Sequence, residues 1–139
     1  TGHVLNVASI AGVVSAGEMG PYNVTKAGVI ALTETLAGEL ASTGVGATVL
    51  CPYFFTTNIG RSARSHSTRV GVDKIHKLME KNPVQAHDVA DIALRACERD
   101  KLYCFPHKEA KVMSAMKRAS PETLLKRLAP QLAKLIDRA

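Results

Sequence analysis

Tyr22 and Lys26 stand four residues apart in the stretch Tyr22-Asn23-Val24-Thr25-Lys26. On a helix that spacing puts both side chains on one face. A free phenol ionises near pH ~10, too high for a useful base at neutral pH. A neighbouring ammonium favours the phenolate. Bringing the phenol toward neutrality needs roughly 4 kcal/mol, at about 1.4 kcal/mol per unit. One ammonium in a partly desolvated cleft supplies much of that, and a phenol so tuned passes a proton to or from a substrate oxygen. Ser9 lies upstream, where its hydroxyl can hydrogen-bond an oxygen that gains or loses charge. It is not read as a nucleophile, because Val7-Ala8-Ser9-Ile10-Ala11 lacks the Gly-x-Ser-x-Gly elbow.

Tyr-x-x-x-Lys occurs by chance in many helices, and a lone serine is an ordinary strand-end residue. The order of the elements around them separates signal from chance. Val4 to Ala8 is a short apolar run that reads as a buried strand ending at Ser9. Residues 10–20 read as a loop with several glycines. From Pro21 to about Ser42 the chain reads as a helix, with proline at its start and Thr43-Gly44 as its stop. Its apolar residues Ile30, Leu32, Leu36 and Leu40 cover more than one face, which predicts burial on two sides. Gly46 to Cys51 is a second buried strand, closed by Pro52. Strand, long helix and strand make the βαβ unit of a parallel sheet with a right-handed crossover. Ligands bind outside the carboxyl ends of such strands, where Ser9 and the start of the helix should meet.

Further on, residues 53–70 read as irregular. Val72, Ile75, Leu78 and Met79 mark a short amphipathic helix. A helix from about Asp88 to Glu98 turns Val89, Ile92, Ala93 and Ala96 inward. Leu102 to Phe105 is a third strand. Two basic helical stretches follow, divided around Ser120-Pro121.

The chain has 139 residues and a net charge of +6. It suits one domain with a sizeable core. Residues 1–60 hold one base and three acids, whereas residues 61–139 hold 17 bases and 9 acids. The basic character therefore lies away from Ser9 and Tyr22. No stacking aromatics or recognition-helix motif accompany it, so no nucleic-acid partner is expected. Cys51, Cys97 and Cys104 have no metal-like spacing and read as reduced, mostly buried thiols of a cytoplasmic protein, with no metal site. His3, His66, His76, His87 and His107 show no ligand spacing and read as surface or capping residues. No apolar run is long enough to span a bilayer. The start at Thr1, directly into a buried strand, reads as a piece of a longer chain.

Asn6-Val7-Ala8-Ser9-Ile10-Ala11-Gly12, Tyr22-Asn23-Val24-Thr25-Lys26-Ala27-Gly28 and the segment Val45 to Ile59 together resemble the short-chain dehydrogenase/reductase family. The resemblance is specific over residues 2–59, plausible over 82–106 and weak beyond. It implies a Rossmann-type doubly wound parallel sheet, here as its last three strands with flanking helices. It further implies residues 1–106 as the carboxyl-terminal half of that domain, with 107–139 as a basic amphipathic helical tail. By resemblance Tyr22 is the acid/base, Lys26 tunes it and holds the nicotinamide ribose, and Ser9 orients the substrate. Pro52, Tyr53, Phe55 and Thr57 belong to the loop under the nicotinamide. The implied cofactor is NAD or NADP, the substrate a small alcohol or carbonyl, and the assembly a homo-oligomer.

The sequence departs from the family pattern in two places. Pro52-Tyr53 stands where the family has Pro-Gly, and Tyr53 must avoid, or adopt under strain, angles that glycine permits. The glycine-rich turn that would cradle the pyrophosphate is absent, and with only the last three strands of the family's sheet one side of the first strand is an unpaired edge. Arg61, Arg64 and Arg69 read as solvated loop residues, with an anionic substrate as the alternative. Gly17, Glu18 and Met19 are candidates for the substrate side. A truncated, non-catalytic interaction module pairing through the 21–42 helix is the rival reading. The tail, with Leu124, Leu125, Leu128, Leu132, Leu135 and Ile136 at helical spacing among basic residues, is expected to pack on its own domain or a partner, with peripheral membrane contact as the alternative.

Overall fold

A computed structural model describes residues 1–17, 19–58 and 72–137. Glu18, Arg61, Arg64, His66 and Arg69 lie outside the described residues. Three strands, β1 (Gly2–Val7), β2 (Val45–Leu50) and β3 (Tyr103–Cys104), form a parallel sheet in the order β1-β2-β3. Between them run α1 (Ile10–Val13), α2 (Gly20–Leu40), α3 (Val72–Glu80) and α4 (Ala86–Glu98). After β3 come α5 (Lys108–Ala119) and α6 (Pro121–Asp137).

Register fixes which side chains share a face. Leu5 pairs with Thr48 and Val7 with Leu50, so these four point to one side of the sheet. On that side Leu50 packs with Val89 and Ala93 of α4 and with Cys104. On the other side Ala8, Val49 and Cys51 pack against Ile30 of α2. Asn6 reaches the same side, where its Nδ2 donates to Thr33 Oγ1 of α2 at 3.0 Å. A third cluster gathers Ile10 and Val14 with Ala110 of α5 and Leu124 of α6. The two basic helices are thus seated on the carboxyl edge of the sheet by their own apolar residues, and Leu128 joins that contact.

Three expectations change. Residues 10–20 are not all loop, because Ser9 caps α1, its Oγ accepting from the Ala11 amide at 3.2 Å. The predicted third strand shrinks to Tyr103 and Cys104. Helix α2 buries one side: Ile30 and Thr33 are covered, whereas Val24 is 72% and Leu32 55% exposed. The second side that its apolar residues predict lies open. Beside it, β1 pairs with β2 alone among the described strands, and Leu5 and Val7 are exposed.

The predicted thiols hold. Cys51 and Cys104 are buried and free, and burial raises their ionisation to about 12 and about 11. Beside the burial effect, each is held up further by its neighbouring thiol, Cys104 for Cys51 and Cys97 for Cys104. These are packing residues rather than nucleophiles. Among the described residues no group of three or more His, Cys, Asp or Glu side chains could hold a metal, and no helix is long and apolar enough to cross a membrane.

Candidate active site at the carboxyl edge of the sheet

Strands β1 and β2 end side by side, and each leads into a segment with polar groups. The Ala8 amide donates to the Leu50 carbonyl at 2.8 Å, and the Ile10 amide to the Pro52 carbonyl at 2.9 Å. The ladder therefore continues past β1 and fixes Ser9 at the strand end, half-buried and extended. There its Oγ, already accepting from Ala11, retains a hydroxyl proton to donate.

Helix α2 delivers Tyr22 and Lys26 to the same end. Pro21 lies in its first turn, where a missing N–H costs nothing. The Lys26 ammonium donates to the Val7 carbonyl, the last residue of β1, at 3.0 Å. It also stands 5.8 Å from the centre of the Tyr22 ring. Lys26 is thus the link between strand end and phenol. Both side chains are half-buried, so a ligand can reach them.

Two further residues set this geometry. A Cβ on Gly12 would lie 2.6 Å from the Lys26 carbonyl carbon, so only glycine lets α1 press on the α2 main chain at Lys26. Asn23, next to Tyr22 and buried, donates from Nδ2 to the Ala16 carbonyl at 2.8 Å. Its own amide donates to the Met19 carbonyl at 2.8 Å. These bonds tie the 15–19 segment to the start of α2. Met19 and Gly17 of that segment are exposed.

In the loop after β2 the first of the two expected outcomes holds. Tyr53 does not take up the glycine conformation, since Asp100 is the one described non-glycine residue with positive φ. Its ring instead packs with Ile10, Val14, Ala110 and Leu124 and meets Phe54 edge-on at 4.9 Å. The departure from Pro-Gly is therefore accommodated without strain, by burying the added side chain. Phe55 turns to the opposite cluster, against Leu50, Val89 and Ala93. Pro52 is buried and Thr57 half-buried. The Tyr53 and Phe55 rings thus serve the core, and backbone is what this loop offers a ligand near them.

His107 was missed by the sequence reading as a surface or capping residue. It does occupy the position before α5, but its side chain makes no cap and the residue is 1% exposed. Its Nδ1 accepts from the Tyr53 amide at 3.2 Å, and its Nε2 bonds the Val84 carbonyl at 3.2 Å. A lone histidine after Phe105-Pro106 carries no periodic signal that would reveal this. His3 likewise bonds inward, to Thr48 Oγ1 at 2.7 Å, at the opposite end of the sheet. His76 and His87 pair with Glu80 and Asp91 one turn along their helices.

The family model for short chain dehydrogenase matches residues 1–68. A 3-oxoacyl-[acyl-carrier-protein] reductase of Synechocystis is 39% identical over 59 residues, which are 42% of this chain and 24% of that protein. A Mycobacterium tuberculosis protein named "Probable oxidoreductase EphD" is 28% identical over 88% of this chain and 22% of its own length. Among solved structures, a short-chain dehydrogenase/reductase from Burkholderia phymatum, in complex with NAD, superposes with a TM-score of 0.74 at 28% identity. That superposition covers 87% of this chain and 48% of the Burkholderia chain. The chain spans about a quarter of the length of the curated relatives it matches. Family match, parallel sheet and superposition agree in likening the chain to the short-chain dehydrogenases, the family model covering 68 of its 139 residues.

Proposed function

We propose that this chain supplies the proton-transfer side of an NAD(P)-dependent oxidoreductase acting on a small alcohol or carbonyl. Tyr22 is the acid/base, Lys26 its charged neighbour and Ser9 the hydroxyl that orients the substrate oxygen. The observation that carries this reading is the placement of Lys26, 5.8 Å from the Tyr22 ring and 3.0 Å from the Val7 carbonyl at the strand end. A positive charge there stabilises the negative charge that develops on the phenol oxygen.

The residues present fit a nicotinamide cofactor: a phenol, an ammonium, a serine hydroxyl and the loop bearing Thr57 line one edge of a parallel sheet, where dinucleotides bind. When bound, the nicotinamide supplies or accepts the hydride. This chain moves the proton. Tyr22 passes it to or from the substrate oxygen, Ser9 donates a hydrogen bond to that oxygen, and Lys26 holds the ribose and the phenol in place. Pro52, Tyr53, Phe55 and Thr57 form the loop beneath the cofactor, largely through backbone. Three free thiols fit the reducing conditions of the cytoplasm, which is the proposed compartment.

Tyr22→Phe removes the acid/base and keeps the ring. In the full-length protein it is expected to lower nicotinamide-dependent turnover by two orders of magnitude or more, about the range of acid–base catalysis. Turnover retained in full would rule the mechanism out. A second reading rests on the open side of α2, where Val24 and Leu32 stand exposed. Such a face suits a helix of a second copy, as in a homo-oligomer or a non-catalytic pairing module.

A further inference from the structure

The loop that follows β2 is held at two backbone amides by side chains from elsewhere. Tyr53 N–H donates to His107 Nδ1 at 3.2 Å, and Thr56 N–H donates to Gln85 Oε1 at 3.0 Å. The two holders are themselves joined. His107 Nε2 bonds the carbonyl of Val84, the residue before Gln85. Gln85 is anchored in turn, its Nε2 donating to the Met79 carbonyl at 3.1 Å and the Asn82 carbonyl at 2.5 Å. The His107 ring stacks on Phe55 at 6.0 Å and lies tilted against Tyr53 at 6.4 Å. Residues 53–56 are therefore gripped from both ends by one bonded unit.

The bonding of His107 fixes its chemical state. A nitrogen that accepts from a backbone amide carries no proton, so Nδ1 is bare and Nε2–H donates to Val84. An imidazolium has a proton on both nitrogens and cannot accept from Tyr53. We propose that His107 is the positioning residue of the cofactor loop: neutral, it holds the Tyr53 amide and sets the loop, and protonated, it releases that amide and loosens the loop. This rests on the oxidoreductase reading for its link to the cofactor, but not for the grip itself.

The surroundings favour the neutral ring. Burial pushes His107 below its ordinary value of 6.5. The Val84 carbonyl and Glu109 of α5 oppose that push and are outweighed. Among the described residues, Glu109 is the charged group that acts at this ring, and the ring lies against Tyr53, whose own ionisation burial raises. Because the folded value is lowered, the unfolded chain takes up the proton first. The stabilisation is complete above 6.5 and is lost as pH falls from there through the folded value.

The test follows amide exchange at Tyr53 and Thr56 in the full chain, with the Val49 amide of β2 as reference. His107→Phe keeps a ring against Phe55 and removes the acceptor, so Tyr53 protection should fall about tenfold relative to Val49. His107→Asn can present Oδ1 to the same amide and should restore most of it. Acidification of the unsubstituted chain should move the Tyr53 amide signal together with the imidazole signal. Unchanged Tyr53 protection in His107→Phe, or equal loss at Val49, overturns the proposal. In the full-length protein, His107→Phe should also weaken NAD(P)H binding about tenfold. A freed Tyr53 amide with unaltered binding overturns the link to the cofactor. No binding of NAD(P)H by the unsubstituted protein, with the Tyr53 response intact, overturns the oxidoreductase reading and leaves the grip standing.

Discussion

Gly12 meets the main chain of α2 at Lys26 with no side chain between them, since an added Cβ would lie 2.6 to 2.8 Å from Lys26 and Ala27 backbone atoms. Backbone cannot swing aside as a side chain does, so Gly12→Ala forces α1 and α2 apart. Overpacking of this kind costs about 1–3 kcal/mol. Lys26 is positioned by its own backbone, so the shift should also break its bond to the Val7 carbonyl. Thermal unfolding is expected to show the loss in stability, and turnover of the full-length protein should drop more than cofactor affinity. An unchanged melting temperature would mean that α1 yields without resistance. Asn23 presents a related case. Its Nδ2 is bonded to Ala16 but its Oδ1 is buried without a partner among the described residues, an arrangement that costs free energy. These two residues were quoted in the sequence only as neighbours of Ser9 and Tyr22. Their roles were illegible because close backbone approach and loop-tying bonds leave no spacing pattern, whereas Tyr22 and Lys26 announce themselves by one helical turn.

At the scale of elements, β1, α2, β2 and α4 were legible because apolar periodicity and proline or glycine stops agreed. Helix α1 was not, since Gly12 and Val13 are weak helix formers and Ser9 alone marks the cap. Nor was the shortness of β3, whose run Leu102 to Phe105 is apolar throughout. What secures β3 is partly a side-chain bond: Tyr103 Oη donates to Glu34 of α2, and its ring stacks on Phe105 at 5.7 Å. Burial and the Glu34 carboxylate, as bonded partner and as charge, raise the ionisation of this phenol above its ordinary value of 10.0. Because the folded value is raised, its contribution is complete below 10.0 and is lost as pH rises from there through the folded value. Tyr103→Phe is expected to cost about 0.5–1.5 kcal/mol at neutral pH, the worth of one hydrogen bond. Spectrophotometric titration of the same variant should lose the latest-ionising phenol. If the late phase persists, Tyr53, which burial also shifts upward, accounts for it instead.

On the scale of the whole molecule, two features are exposed. Among the described residues strand β1 has a free edge, with Leu5 and Val7 exposed on one face, and on the other face of the sheet α2 leaves Val24 and Leu32 open on its outer side. The Burkholderia relative has a further 52% of chain that this one does not overlay. An unpaired edge with apolar neighbours is a template for pairing with another chain. The 139-residue chain on its own is therefore expected to self-associate with rising concentration, as seen by sedimentation velocity. Leu5→Lys puts a charge on the exposed face and should reduce that association. Its effect on stability should stay within about 0.5 kcal/mol, as for a surface change. A chain that remains monomeric at all concentrations would mean that the edge is protected by its own twist or charge. Association that persists in Leu5→Lys but fails in Val24→Lys would move the contact from the strand edge to the outer face of α2.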